Sequence, residues 1–401
     1  MIKHYIFFVN KVLPKPNTAS LVWAAHSANA AANLGYSSIL VYYQEIGHPL
    51  KPVDLIRPFK PKKPDKKLAN FYNIEDKLQV ASLPMPWPIS ESGGKLNNPS
   101  TITCKYYLPI HLKPVSQIIH TRDWNFAQAA IKNEIPVIFE NHHYRPEKFD
   151  SEIVNSRFFQ VAVTLSDTVE ENMIEQGMPP EKIIKTHSGL NGLFLRRYPE
   201  QAKEWRQKLL TNDRQHLVVY SGGLYSFKGV DLLIDVAKEL PDIQFVFAGG
   251  SQPHVEKYQK LVQEKRVENV KLLGYIEQKK LASLLQSADI LAHPHCSGTA
   301  STFTSPLKFF DYLASGTPIV ATEIPPLQQF KSLNVVAGWC EPDNHLAFVQ
   351  SIKTVLTTHP RRVEGYSDSM EFARQFSCEN RIAKILNHVE ESMRPQLLVK
   401  N

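Results

Sequence analysis

The sequence is short of cysteine, with four in 401 residues. Cys104, Cys296, Cys340 and Cys378 lie far apart and form no CxxC pair. That pattern suits reduced thiols in the cytoplasm better than a disulfide framework or a zinc site. Long apolar runs are missing too: nothing approaches the roughly 20 consecutive apolar residues that a membrane-spanning helix needs. The opening MIKHYIFFVN has one short apolar run, interrupted by Asn10, Lys11 and Pro14. It therefore reads as a buried first strand and not as a secretory signal. Glycine is sparse, 17 residues against 28 prolines, which points to structured loops over flexible linkers. Neither GxGxxG nor the P-loop pattern occurs, so the dinucleotide and P-loop fingerprints do not apply. No Asp-x-Asp pair is present, and no essential metal or other cofactor is expected. No helix-turn-helix or zinc-finger module is visible, which argues against nucleic acid as a partner.

The chain's 43% apolar and 21% charged residues are those of an ordinary globular protein, and its length favours two domains. A net charge of +7 makes an anionic partner plausible. Much of the excess sits in RPFKPKKPDKK, where Arg57, Lys60, Lys62, Lys63, Lys66 and Lys67 cluster around prolines. This stretch reads first as a solvated loop, then as a patch for anionic lipid head groups at roughly 1 kcal/mol per basic side chain, and last as a nucleic-acid contact, since it lacks interleaved aromatics for base stacking.

Short β-branched runs alternate with amphipathic helical patterns, the sign of parallel sheets with helical crossovers. Strands are predicted at 5–9, 38–43, 117–120, 136–140 and 160–165 in the first half. In the second half they fall at 216–221, 243–248, 270–275, 289–294 and 318–322, each apolar on both faces. Helices are predicted at 20–34 and 167–176, from Val230, and at 254–265, 278–287 and 308–314. Residues 51–115 carry little pattern. The expected organisation is α/β: two Rossmann-like doubly wound domains facing across a cleft. They span residues 1–195 and 196–375, and a C-terminal helix within 376–401 packs back on the first.

Ligands of open α/β sheets gather at the carboxyl ends of strands. The turn SGGLYSFKG follows strand 216–221; Gly222 and Gly223 let the backbone approach a ligand, and Lys228 offers a point charge for a diphosphate. Without further context, a tight turn with a surface lysine fits equally. In TSPLKFFDYLASGTPIVAT (304–322), Thr304, Ser305 and Pro306 read as a helix start. The free N–H groups of Pro306's successors Leu307 and Lys308 would then form an anion site. Asp311, one turn on, can accept two vicinal hydroxyls. His293 and His295 lie at a neighbouring strand end, where a structural role is the simpler reading. In the first half HTRDW (120–124) and FENHH (139–143) are strand-end clusters; a buried Arg122–Glu140 ion pair that only orients loops is a rival to a catalytic role. The loop LPKPNTAS precedes a helix whose cap is Thr18 or Ser20.

Residues 183–342, with HSGLN, the GG turn and its lysine, FVFAGGS, LLGYIEQKKLASLLQSADILAHP and the 304–322 segment, resemble the retaining glycosyltransferases of the GT-B fold, family 4 (group 1). The family motif has two glutamates separated by seven residues. The second falls on Asp311; the first falls on Phe303, which cannot hydrogen-bond. Many members carry an arginine where Gly223 stands. The resemblance implies a donor site of Gly222, Gly223, Lys228, Gly249, the base-lining Gly274, Tyr275 and Ile276, and the 304–308 helix start with Asp311. It places Asp123, Glu140 and His142 near the reacting sugar, with Arg122 where some members have a histidine, and Asn17, Thr18 and Ser20 towards the acceptor. It implies metal-independent transfer of a hexose, with glucose the expected one, from a UDP-sugar to a saccharide or lipid-linked acceptor. The setting would be polysaccharide or glycoconjugate synthesis in the cytoplasm or at the inner membrane face. A nucleotide-sugar epimerase and a non-catalytic nucleotide-sugar-binding protein remain alternatives.

Overall fold

The computed structural model describes residues 3–15, 19–45, 52–85, 99–211, 214–299, 301 and 307–398. The chain forms two compact units, Met1–Gly189 with Cys378–Asn401, and Leu190–Ser377.

The first unit is a seven-stranded sheet of β1 (His4–Val12), β2 (Ser38–Tyr43), β3 (Gln79–Leu83), β4 (Ser116–Thr121), β5 (Val137–Glu140), β6 (Phe159–Thr164) and β7 (Ile183–Lys185). Its order is β3-β2-β1-β4-β5-β6-β7, with every pairing parallel. The winding reverses between β1 and β4, so their carboxyl ends flank a topological switch point. Burial explains the strands: Tyr5, Ile6, Phe7 and Phe8 are all at most 2% exposed, as a strand covered on both faces requires. The helix Ala19–Asn33 is buried almost all round. Its alanines 24, 25, 28 and 31 share a core with Ile382, Ile385 and Leu386 of the helix Cys378–Asn387. A helix enclosed on all sides loses its polar face, which accounts for its alanine-rich sequence. Gly189 is where the outgoing chain passes the returning one: a Cβ there would meet the Sγ of Cys378 at 2.6 Å.

The second unit repeats the plan with β8 (His216–Ser221), β9 (Ile243–Ala248), β10 (Val270–Gly274), β11 (Ile290–His293), β12 (Ile319–Thr322) and β13 (Gly338–Cys340). The order β10-β9-β8-β11-β12-β13, again parallel, puts its switch point between β8 and β11. The helix Val230–Glu239 buries Val230, Leu233, Ile234 and Ala237, the stripe its sequence spells out. The helix Leu307–Ser315 buries Phe309, Phe310, Tyr312 and Leu313. Both sheets are the doubly wound α/β sheets expected.

Three expectations need correction. β10 is half-buried along its length and not apolar on both faces, because it is an edge strand with one neighbour. Ser20 does not cap the first helix but lies inside it, since the helix begins at Ala19. Residues 51–115 are not patternless, for they contain β3 and the helix Lys66–Tyr72, capped by the side chain of Asp65. In the basic stretch Lys60 pairs with Asp54 at 2.7 Å. No helix among the described residues is long and apolar enough to cross a membrane.

Candidate functional site

In the second unit the carboxyl ends of β8, β9 and β10 are drawn together by backbone hydrogen bonds. Gly222 N–H donates to Ala248 O at 2.8 Å, and Gly249 N–H to Gly274 O at 2.6 Å. Glycine is obligatory at 249, where φ is +121° and a Cβ would stand 2.2 Å from the carbonyl oxygen of Gly222. Gly223 completes the turn after β8, and Tyr275 and Ile276 follow the end of β10, with Tyr275 exposed and Ile276 partly buried.

Two lysines converge here. Lys228 closes the short 3-10 turn Ser226–Lys228, its ammonium 5.6 Å and 5.8 Å from the ring centres of Tyr225 and Phe227. The turn is fixed by Gly229, whose φ of +74° and approach to Pro294 O would put a Cβ at 1.7 Å. Lys308 projects from the first turn of the helix Leu307–Ser315, with its ammonium 4.1 Å from the ring centre of Tyr220. That ammonium is buried and has no hydrogen-bond partner among the described residues. A Cβ at position 222 would lie 3.8 Å from it, so it stands over the turn after β8. Tyr312, on the same helix, accepts a hydrogen bond from Ser221 N–H at 2.7 Å and ties the helix to β8. Burial lowers the pKa of Lys228. Burial, and then repulsion from Lys228, pushes Lys308 far below the usual ammonium range.

Beside the lysines His293 and His295 stack at 4.3 Å, with their Nδ1 atoms 3.3 Å apart, so one ring donates and the other accepts. Both Nε2 atoms are buried without a partner among the described residues. Burial and the neighbouring Lys308 hold both rings neutral. Asp311, one helical turn beyond Lys308, has its carboxyl pushed up to about 8 by burial. A buried ammonium and two imidazole nitrogens have no partner among the described residues, and unpaired buried cations are costly unless an anion completes them. The helix start at Thr304, Ser305 and Pro306, and Phe303, lie outside the described residues, as do Asn17 and Thr18.

In the first unit the chemistry gathers at the end of β5. Glu140 is 1% exposed. Its Oε1 accepts from His120 Nε2 at 2.7 Å and from Arg381 at 2.8 Å; its Oε2 accepts from His142 Nε2 at 2.6 Å and from Arg381 at 2.8 Å. Burial alone would raise this carboxyl, but the Arg381 guanidinium and the two histidine hydrogen bonds hold it well below the carboxylate range. Four donors fill the lone-pair positions of a carboxylate. The rival reading of an Arg122–Glu140 pair is therefore corrected: the cation on Glu140 is Arg381. Arg122 instead lies 5.7 Å from the Trp23 ring centre. Asp123 caps the helix Trp124–Lys132, accepting from Phe126 N–H at 2.9 Å and from Asn10 at 2.6 Å. Both of its oxygens thus serve the scaffold. Among the described residues no group of three or more His, Cys, Asp or Glu side chains is placed to hold a metal. The Nε2 atoms of His120 and His142 are already committed to Glu140.

The sequence reading gathered Gly222, Gly249, Gly274, Lys228 and the 307–311 turn into one place, and the structure does the same. It missed the side chain of Lys308, cited only for its backbone, and all of Arg381. A lysine amid Leu307, Phe309 and Phe310 was a legible signal for the former. Nothing local marks Arg381, whose partner is far away in sequence.

Residues 201–367 match the family model of the glycosyl transferases group 1. The chain is 28% identical over 129 residues to the alpha-galactosylglucosyldiacylglycerol synthase of Streptococcus pneumoniae, covering 31% of this chain and 34% of that protein. It is 23% identical over 278 residues to the D-inositol 3-phosphate glycosyltransferase of Corynebacterium aurimucosum, covering 66% of this chain and 64% of that protein. The matches thus span between about a third and two thirds of these curated relatives. The structure is similar to that of Anabaena HepE in complex with UDP and glucose, with a TM-score of 0.66 at 17% identity over 96% of this chain and 99% of that one. At such identity the likeness shows the fold. Residues 201–367 thus resemble the glycosyl transferases group 1, and the two parallel α/β units share the GT-B fold of the solved glycosyltransferase structures.

Proposed function

We propose that the protein is a retaining glycosyltransferase that moves a hexosyl unit, glucose in the first instance, from a UDP-sugar to a saccharide or lipid-linked acceptor. The observation that carries this reading is the buried Lys308 ammonium, without a hydrogen-bond partner among the described residues, beside Lys228 at the β8–β11 switch point. When the glycosidic bond to the β-phosphate breaks, negative charge collects on the departing diphosphate. Two cations preorganised in a buried setting stabilise that charge more than they stabilise the ground state. They supply the positive charge that a metal ion provides in other transferases, so the reaction proceeds without one. Asp311 is positioned one turn away to accept ribose or sugar hydroxyls. Tyr275 and Ile276 border the uracil, and Glu140 with His142 serves the sugar and acceptor side.

The name of the S. pneumoniae relative describes the synthesis of a glycosyl diacylglycerol. That supports a lipid-linked acceptor and work at the cytoplasmic membrane face, where the basic stretch around Lys63 would meet anionic head groups. The test is transfer from radiolabelled UDP-glucose into a bacterial lipid and polysaccharide extract, with and without EDTA. Labelled product that resists EDTA and retains the donor's anomeric configuration supports the proposal. UDP binding with no transfer and no donor hydrolysis would make the chain a binding protein, and donor conversion without an acceptor would make it an epimerase.

A further inference from the structure

Arg381, on the helix by which the chain re-enters the first unit, joins the end of β5 to the stretch by which it leaves. It lies on the helix Cys378–Asn387 and is 4% exposed. Two of its nitrogens grip the two oxygens of Glu140, each at 2.8 Å, and its Nε donates to His187 O at 2.9 Å. A bidentate pair of this kind fixes both the position and the plane of a carboxylate.

That constraint sets the protons of the neighbouring rings. With Glu140 ionised, each group touching it must donate, so His120 and His142 both carry hydrogen on Nε2. In His120 the remaining Nδ1 accepts from the Tyr5 hydroxyl at 2.8 Å. In His142 the remaining Nδ1 has no hydrogen-bond partner among the described residues, and the side chain keeps 9% exposure. From the geometry we infer that Arg381 is a positioning residue: it holds Glu140 so that His142 presents an unprotonated Nδ1 to a hydroxyl of the sugar or acceptor. The inference rests on the transferase reading for its ligand, but not for its proton placement.

The charged and titratable groups facing His142 are Glu140 at the end of β5, Arg122 after β4 and Arg381 from the C-terminal helix. Burial, then Arg122, lowers the ring to about 4, with Glu140 opposing and Arg381 adding to the lowering. The imidazole is thus neutral at physiological pH, and an acceptor lone pair is available across the working range.

The experiment uses the full chain labelled with nitrogen-15 and long-range proton–nitrogen correlation of the imidazoles, His142 being assigned by its absence in H142Q. The wild type is expected to show His142 as the Nε2–H tautomer, unchanged between roughly pH 5.5 and 8. In R381Q the ring should become a tautomer mixture that titrates at higher pH, since a positive neighbour is gone. Turnover of UDP-glucose should fall about tenfold or more with little change in KM, and R381K should recover part of it. An Nδ1–H tautomer in the wild type overturns the inference without any variant being needed. So does an R381Q protein that keeps both the tautomer and the turnover. A wild type that folds and shows the expected tautomer but turns over no donor overturns the transferase reading instead.

Discussion

Replacing Lys308 by Met separates folding from ligand binding, because the two should move in opposite directions. In the free protein the Lys308 ammonium is buried, has no partner among the described residues and is repelled by Lys228. Methionine has similar length and no charge to desolvate. Replacing buried ion pairs with apolar groups of like volume is often neutral or stabilising by about 1–4 kcal/mol, and the low end is expected here because burial has already lowered the Lys308 pKa and the Tyr220 ring offsets part of the cost. For a unit of this size 1 kcal/mol raises Tm by about 2–4 °C. In the complex the same change removes a charge-assisted contact to a phosphate oxygen, worth about 1.5–3 kcal/mol. That converts to roughly 10- to 150-fold weaker binding. Differential scanning calorimetry without ligand and titration calorimetry with UDP give both numbers. A variant with lower Tm and unchanged UDP affinity would refute the reasoning, since Lys308 would then be a structural cation.

Further outcomes follow from the same geometry. Asp311→Asn should weaken UDP-glucose binding about tenfold while leaving the fold intact, as titration calorimetry and circular dichroism will show. Gly249→Ala places a methyl 2.2 Å from Gly222 O at a φ of +121°, and should cost about 1–3 kcal/mol in a urea melt. Stability should fall as pH drops below about 6.5. His120, His142, His187, His293 and His295 all have folded pKa values below their unfolded ones, so the unfolded chain binds more protons there and gains with acid. Glu140, depressed as well, adds loss at lower pH, while Asp311, raised to about 8, and Asp123, raised by burial, work the other way. Urea midpoints at pH 7.5 and 5.0 check this, and His293→Gln should reduce the difference.

The fold was legible because its strands are short apolar runs with clear helical crossovers between them; β2, β8, β9 and the helix Gln278–Ser287 have the bounds their patterns indicate. β3, β7 and β13 were not read. β7 and β13 are three residues long and lie at sheet edges, and β3 sits in a proline- and lysine-rich stretch without periodicity. That Gly222, Gly249, Gly274 and Lys228 gather at one sheet edge was legible because a glycine turn and a lysine after a strand are local features. The Glu140 cluster was half legible: the carboxylate and His142 are neighbours in the chain, whereas Arg381 comes from a helix 241 residues away. A desolvated carboxylate advertises that it needs a cation, and Arg122 was the nearest one in sequence. The fold supplied Arg381 instead.

The account turns on a diphosphate being gripped by Lys228 and Lys308, and the most direct measurement is titration calorimetry of UDP against uridine on the same wild-type protein. Two charged contacts to phosphate predict UDP binding at least about 100-fold tighter than uridine, with most of that ratio lost in the Lys228→Met, Lys308→Met double variant. Equal affinities for UDP and uridine, or a ratio unmoved in the double variant, would contradict it.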